Sequence, residues 1–322
     1  MELARRILAG DLRAAARAMR FLDDQDPRGA EVMAALHPYT GGARVVGVTG
    51  TPGAGKSTLI DAIIAIWRQM GLRVGVVAVD PTSPFTGGAI LGDRVRMQRH
   101  ATDPGVFIRS LATRGRLGGL SASTGEVVQV LDAMGYQRIL VETVGVGQDE
   151  VEVVSLADLV VVVVSPGQGD EVQAHKAGVL EIADLLVVNK ADQVGAERTA
   201  RDLCLAVEMA PAGARRPKVL RTTASVGAGV KEVVEEVEGL LSDMEVSGQR
   251  AASARARTQK MVVDMVMESL GERVRLLVES DQGVRDLLDK VHAREVAPRQ
   301  AAAKLLSEIA RDEAKATEGP AE

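Results

Sequence analysis

Residues 50–57 read Gly-Thr-Pro-Gly-Ala-Gly-Lys-Ser, a glycine, four free positions, then glycine, lysine and a hydroxyl residue. Val45-Val46-Gly47-Val48 just before it is a short apolar strand, and Thr58 to Trp67 is suited to a helix. That setting constrains the fold more than any other stretch. Gly50, Gly53 and Gly55 permit a tight turn with inward-facing amides, and the helix that follows aims its N-terminus into the same space. Such a cradle takes phosphate. Its backbone at Gly53, Ala54 and Gly55 and the first helical residues through Thr58 would line the anion; Lys56 would reach the outer phosphates and Ser57 would offer its hydroxyl to Mg2+.

Around this loop the chain alternates strand and helix from Ala43 to about Leu241. Apolar runs at Arg44–Thr49, Arg73–Val79, Gly105–Arg109, Arg138–Glu142, Leu159–Ser165, Leu185–Asn189 and Lys218–Thr222 are candidate strands. Several are continuous β-branched runs with no polar alternation, which means both faces are covered. The expected fold class is α/β, a mostly parallel sheet flanked by helices. Ligands then belong outside the C-terminal strand ends. Residues 1–42 read as an amphipathic helical extension, packed on the main domain rather than a flexible leader, with Leu3, Ile7, Leu8, Met19 and Leu22 at helical spacing. Residues 43–245 form the phosphate-loop domain. Residues 246–322, rich in Ala, Arg, Glu, Leu and Met, read as two or three helices that either fold back or project as a dimerisation arm; an apolar stripe after a complete domain favours the arm.

Composition narrows the classes further. Charged residues are 26%, aromatic residues 2%, and the formal charge is -5. Neither a nucleic-acid surface nor a set of stacking platforms is suggested. Cys204 is the only cysteine and the four histidines, His37, His100, His175 and His292, are scattered, which leaves zinc chemistry without a basis and suits a reducing cytoplasm. No apolar stretch is long enough to cross a membrane, so no membrane partner is expected.

The remaining motifs sit at strand ends. Asn189-Lys190-Ala191-Asp192 follows the run Leu185–Val188. A carboxylate at Asp192 can accept the N1–H and exocyclic amine of guanine, a donor pair adenine lacks, with Asn189 bracing the loop and Lys190 along the base. Thr223-Ala224-Ser225 falls where a backbone amide could meet guanine O6. Asp80 ends the second strand, near enough to the phosphate loop to serve the metal. Asp93 lies in a long polar, glycine-bearing segment and reads as a group near the metal or attacking water. Glu142-Thr143-Val144-Gly145 stands where Asp-x-x-Gly is more usual: the acid serves the metal and the Gly145 amide senses the γ-phosphate. Val146 stands where a water-orienting glutamine is common; Gln148 is polar but displaced by two positions, so slow intrinsic hydrolysis is expected. The polar stretch 166–176, with Asp170 and Lys176, reads as a partner-sensing loop. Lys56, Asp93 and Glu142 are thus the catalytic candidates, and Ser57, Asp80, Asp93 and Glu142 the metal candidates.

Taken in order, GTPGAGKST at 50–58, VDPTSPFTGGAILGDRVRM at 79–97, VETVGVGQDE at 141–150, GQGDEVQAHKAG at 167–178 and NKAD at 189–192 resemble the MeaB/ArgK family of GTPases. The resemblance implies GTP as substrate, GDP as product, Mg2+, and a homodimer held by the C-terminal helices. It also implies a partner, an adenosylcobalamin-dependent acyl-CoA mutase, most simply methylmalonyl-CoA mutase, whose cofactor delivery is gated and whose damaged cofactor is removed. In that frame the stretch 167–176 is an additional switch loop and Lys176 links nucleotide state to the mutase. Thr223-Ala224-Ser225 departs from the family's more usual Ser-Ala pair. A GTPase for metal insertion into a metalloenzyme, or a nucleotide-dependent scaffold without turnover, is the competing reading; the lack of a Cys/His transfer site weighs against the first. An ArgK-type kinase role has no substrate-transfer site to support it.

If Asp192 supplies the guanine acceptors, GTP and GDP bind far better than ATP, and Asp192→Asn weakens GTP and relaxes its preference over xanthine nucleotides. Competition binding with all three bases checks this; equal binding of ATP and GTP by the parent protein contradicts it.

Overall fold

In the computed structural model the described residues are 1–24, 26–80, 97–112, 122–143, 155–167, 181–211 and 215–317, with only the main chain described at Asp80, Gln98, Ala112, Ala122, Glu268 and residues 308–317. They divide into two compact units, Met1–Thr258 and Gln259–Glu322.

The first unit is built on seven parallel strands: β1 (Arg44–Gly50), β2 (Val74–Asp80), β3 (Val106–Ala112), β4 (Arg138–Glu142), β5 (Leu159–Val164), β6 (Leu185–Val188) and β7 (Lys218–Arg221), in the spatial order β3-β2-β4-β1-β5-β6-β7. β1 lies at the centre, with Val48 beside Glu142 of β4 and Gly50 beside Val163 of β5. The expected α/β class is what the chain adopts, and the reason is legible in β5. All six of its residues, Leu-Val-Val-Val-Val-Val, are buried, and such a run satisfies its side chains only where helices cover both faces.

One face is covered by α4 (Lys56–Gln69) and α7 (Val230–Val246), which pack Leu59, Ile60, Ile63, Ile64, Trp67, Val233 and Val237 against Val46, Val48, Leu140, Val161 and Val163. The indole of Trp67 donates to Glu238 Oε1 at 2.8 Å, and Arg138 of β4 donates to the same oxygen at 2.8 Å. One carboxylate on α7 thus ties α4 to β4. The opposite face carries α5 (Ala122–Ala133), α6 (Ala196–Glu208) and the N-terminal helices α1 (Glu2–Leu8), α2 (Leu12–Asp23) and α3 (Pro27–Leu36). The extension is part of this core: Ile7, Ala15, Ala18, Met19 and Leu36 are fully buried in it. Asp11 caps α2 by accepting from the Arg13 and Ala14 amides, and Asp26 caps α3 with Pro27 at its first position. The link into β1 is held by Asp132 of α5, whose carboxylate accepts the amides of Gly41, Gly42 and Ala43.

Before β3, Arg68 of α4 grips Asp103, with Nε at 2.8 Å. A Cβ on Gly105 would come within 2.1 Å of the Arg68 guanidinium carbon, so a side chain there would displace that guanidinium from Asp103. The Arg68 hydrogen bond, with the Gly105 amide adding to it, holds the Asp103 carboxyl below its ordinary range.

A long helix, α8 (Gln249–Ser280), runs unbroken through Gly271 and crosses the boundary between the units. Its first turns belong to the sheet unit. Arg250 donates to the carbonyls of Gly41 (3.0 Å) and Ala43 (2.8 Å), and Arg257 donates to Ala157 O at 3.1 Å and to the Asp158 carboxylate. Asp158 also accepts the Val45 amide at 2.9 Å. The second unit contains the rest of α8, α9 (Gln282–His292) and α10 (Pro298–Thr317). Asp281 caps α9 through the Val284 amide at 3.0 Å, and Val284, Leu287 and Ala301 are buried. Val262, Val263, Val266, Met267 and Leu276 of α8 stay more than half exposed. No described helix is long and apolar enough to cross a membrane.

Asp158 is the acid that balances the arginines at the root of α8, and its side chain is 2% exposed. Asp158→Ala should cost about 3 kcal/mol, because the half-buried guanidinium groups of Arg250 and Arg257 lose their counter-charge and the buried Val45 amide its acceptor. Urea unfolding of the variant and parent checks this, and a loss below about 1 kcal/mol contradicts it.

Candidate functional site

The site forms where β1, β4, β5, β6 and β7 end. Gly50 closes β1 with φ 128, and a Cβ there would fall 1.9 Å from Val163 O on β5. Only glycine lets the chain leave the sheet at that point. The loop then turns through Gly53 (φ 74) and Gly55 (φ 90) into α4, whose first residue is Lys56. A Cβ on Gly55 would meet Asn189 Nδ2 at 2.5 Å, so the last loop glycine is demanded by a residue 134 positions away.

Within the loop, Lys56 is buried and its Nζ donates to the carbonyls of Gly50 (2.8 Å) and Thr51 (3.2 Å). The ammonium is thereby folded over the loop, near the exposed Pro52 and Gly53. Ser57, one residue on, donates its hydroxyl to Glu142 Oε1 at 2.7 Å; both residues are buried. Thr58 is half-buried on the same turn. The serine–glutamate contact joins the start of α4 to the end of β4 with two oxygen donors and no nitrogen or sulfur. That donor set fits Mg2+, which prefers oxygen and keeps waters and substrate phosphates among its ligands. Among the described residues no group of three His, Cys, Asp or Glu side chains is placed to hold a metal.

Asn189 occupies the junction. It is buried, its Nδ2 donates to Ala54 O at 2.8 Å, and its Oδ1 accepts from Thr222 Oγ1 at 3.0 Å and the Ala224 amide at 3.1 Å. Three chain segments, the phosphate loop, the end of β6 and the turn after β7, are therefore held by one amide. Lys190 follows with φ 58, an uncommon left-handed conformation for a residue with a side chain, fixed by the Ala191 amide bonding Thr222 O at 2.9 Å. Lys190 is half-buried and Asp192 exposed at this rim. Thr223 is half-buried, Ala224 begins a short 3-10 turn, and Ser225 is exposed. The Ala224 amide is already engaged by Asn189, which leaves Ser225 as the exposed member of this trio beside the rim.

Of the other sequence candidates, Asp80 ends β2, two residues beyond the neighbour of Glu142 in register. Asp93, Gly145, Gln148, Asp170 and Lys176 lie outside the described residues. Sequence reasoning passed over Thr222, taken as a mere strand terminus, and the buried pair Thr49 and Thr143. Neither has a spacing signature; each becomes visible only when strands are aligned.

A phosphate loop at the end of a central strand of a parallel sheet, with a strand-end asparagine braced against it, defines a P-loop nucleotide-binding protein. Residues 15–279 match the family described as methylmalonyl Co-A mutase-associated GTPase MeaB. Along nearly its whole length the chain is similar to a protein of Pyrococcus abyssi, 45% identical over 312 residues and covering 96% of each. It is 37% identical over 256 residues to the GTPase ArgK of Escherichia coli, covering 77% of each. Its fold is similar to the solved structure of an LAO/AO transport system kinase, with TM-score 0.73, 27% identity and 96% of both chains covered. The chain belongs to the MeaB family of P-loop GTPases, and it is a GTP-hydrolysing enzyme.

Because Asn189 satisfies Ala54, Thr222 and Ala224 at once, Asn189→Ala leaves buried polar groups without a partner. The nucleotide-free protein should lose about 3 kcal/mol of stability, read as a lowered denaturation midpoint. A change under about 1 kcal/mol would show that the brace is dispensable.

Proposed function

We propose that this chain is a GTP-driven chaperone for an adenosylcobalamin-dependent acyl-CoA mutase, gating delivery of the cofactor and protecting or reactivating the mutase. Methylmalonyl-CoA mutase is the favoured client, on the strength of the family's description. The observation that carries the reading is the Ser57–Glu142 contact at 2.7 Å beside the phosphate loop. It is a pair that a nucleotide-bound metal can enter and whose arrangement depends on what occupies the loop.

In this reading Gly53, Ala54, Gly55, Lys56, Ser57 and Thr58 bind the phosphates. Ser57, Asp80, Asp93 and Glu142 serve Mg2+, which when bound neutralises developing charge on the β- and γ-oxygens. Lys56 leaves its loop carbonyls to meet the outer phosphates. Asp192 accepts from guanine, Lys190 lies along the base, and Asn189 with Thr223, Ala224 and Ser225 shapes the base pocket. Lys56, Asp93 and Glu142 form the catalytic set. Val146 offers no hydrogen bond to an attacking water, so hydrolysis is slow alone and rises when the mutase rearranges the segments bearing Gly145, Gln148, Asp170 and Lys176. Adenosylcobalamin is handled by the complex and is not expected to bind this chain tightly.

Residues 1–42, 43–245 and 246–322 serve as extension, GTPase domain and dimerisation arm. The apolar residues left exposed on α8 support a homodimer through the arm, since a second copy would cover them. The lone cysteine is in keeping with work in the cytoplasm.

Hydrolysis measured with and without the mutase tests the function: acceleration by the mutase is expected, and an unchanged rate contradicts the chaperone reading. In the same assay Lys176→Ala should leave basal turnover within a few fold yet abolish the acceleration. Retention of full acceleration would make Lys176 an ordinary surface lysine.

A further inference from the structure

The end of β4 is held on both faces of the sheet, to α4 on one and to β1 on the other. On the α4 face, Glu142 accepts from Ser57. On the other, Thr143 Oγ1 donates to Thr49 Oγ1 at 2.8 Å, and the Thr143 amide donates to Val48 O at 3.1 Å. Thr49 immediately precedes Gly50, the first residue of the phosphate loop, and Thr143 immediately follows Glu142. Both threonines are essentially inaccessible, at 0% and 1% exposure.

Packing alone does not account for these hydroxyls. Thr49 lies beside Val162 in register, and the residues of β1 and β4 on the same face, Val45 and Val141, belong to an apolar cluster. Valine has the same shape as threonine and suits such a position without a polar atom to satisfy. Placing two hydroxyls there, in register and bonded only sideways, gives a directional link between neighbouring strand ends that a valine pair lacks. Its position is what matters: each threonine is the residue next to a group of the candidate site.

We propose that Thr49 and Thr143 form a latch that positions Glu142 relative to the phosphate loop, so that they act as positioning residues for GTP hydrolysis. The inference rests on the reading that Ser57 and Glu142 serve the nucleotide's metal. By holding the backbone just after Glu142 to β1, the latch fixes where the carboxylate stands when the loop is filled. It therefore acts on the hydrolytic step and leaves the affinity for GDP, which is governed by the loop and the base pocket, nearly unchanged.

The test uses the full chain with Thr143→Val, Thr143→Ser, Thr49→Val and the Thr49→Val/Thr143→Val double variant. Single-turnover GTP hydrolysis, binding of a fluorescent GDP and the thermal midpoint are read for each. Thr143→Val should slow hydrolysis about tenfold, as a small misplacement of a reacting group does, with GDP affinity within about twofold of the parent. Thr143→Ser should keep the parent rate. The double variant should regain thermal stability lost by the single ones, because both hydroxyls leave together, while its hydrolysis stays slow. A parent-like rate in Thr143→Val, or a rate that recovers along with the midpoint in the double variant, overturns the latch. Ser57→Ala separates the two readings. If it removes Mg2+-dependent hydrolysis while Thr143→Val does not slow it, the latch alone is wrong; if Ser57→Ala leaves that hydrolysis intact, the metal-site reading beneath it fails.

Discussion

The amide of Asn189 is the contact on which the site depends. A single side chain spends its donor on the phosphate loop, at Ala54, and its acceptor on the two groups that follow β7, at Thr222 and Ala224. Only an amide offers a donor and an acceptor on one rigid plane at this reach; aspartate would lack the donor. The consequence is geometric. The loop that cradles phosphate and the rim that carries Asp192 cannot shift independently, so the span between the two is set by the protein before any nucleotide arrives. Gly55 is the counterpart of this contact, since any side chain there would displace the amide.

The sheet makes such a junction affordable to hold together. Two apolar layers clamp the strands, one through α4 and α7 and one through α5 and the N-terminal helices, so the strand ends are fixed and polar groups on them can be spent on the site. The extension contributes directly, because α2 and α3 bury their apolar stripes against α5. The root of α8 is fastened at the opposite, N-terminal edge of the strands by Arg250 and Arg257. Among the buried polar side chains of this unit, Asp158 holds a chain connection, as the half-buried Asp132 does, while Asn189, Glu142, Ser57, Lys56, Thr49, Thr143 and Thr222 gather at the C-terminal strand ends.

Much of this was readable from residues alone. The seven apolar runs correspond to the seven strands with boundary changes of at most three residues, because a fully buried parallel strand leaves an unbroken β-branched signature. The boundary at β3 moved most: it begins at Val106 and continues to Ala112 through Arg109 and Ser110, where polar letters suggested an end. Arg109 is tolerated there because it reaches Asp23 of α2 at 2.8 Å, a partner supplied by the extension. In the C-terminal region α8 passes straight through Gly271; one glycine costs only about 1 kcal/mol in a helix, less than a long helix can absorb.

Sequence by itself determined the parallel sheet and the phosphate loop, and it marked Lys56, Ser57, Glu142, Asn189 and Asp192 as candidates, because each is announced by a local pattern: a spacing, a run, a strand end. Tertiary structure decided which of these touch. That Gly55 must be glycine on account of Asn189, that Ser57 meets Glu142 across 85 positions, and that Thr49 finds Thr143 across 94 follow from strand order and register. Those depend on how β1 sits between β4 and β5, which is set by the helices packing both faces. A local pattern can say that a hydroxyl stands at a strand end. Only the packed sheet supplies its partner.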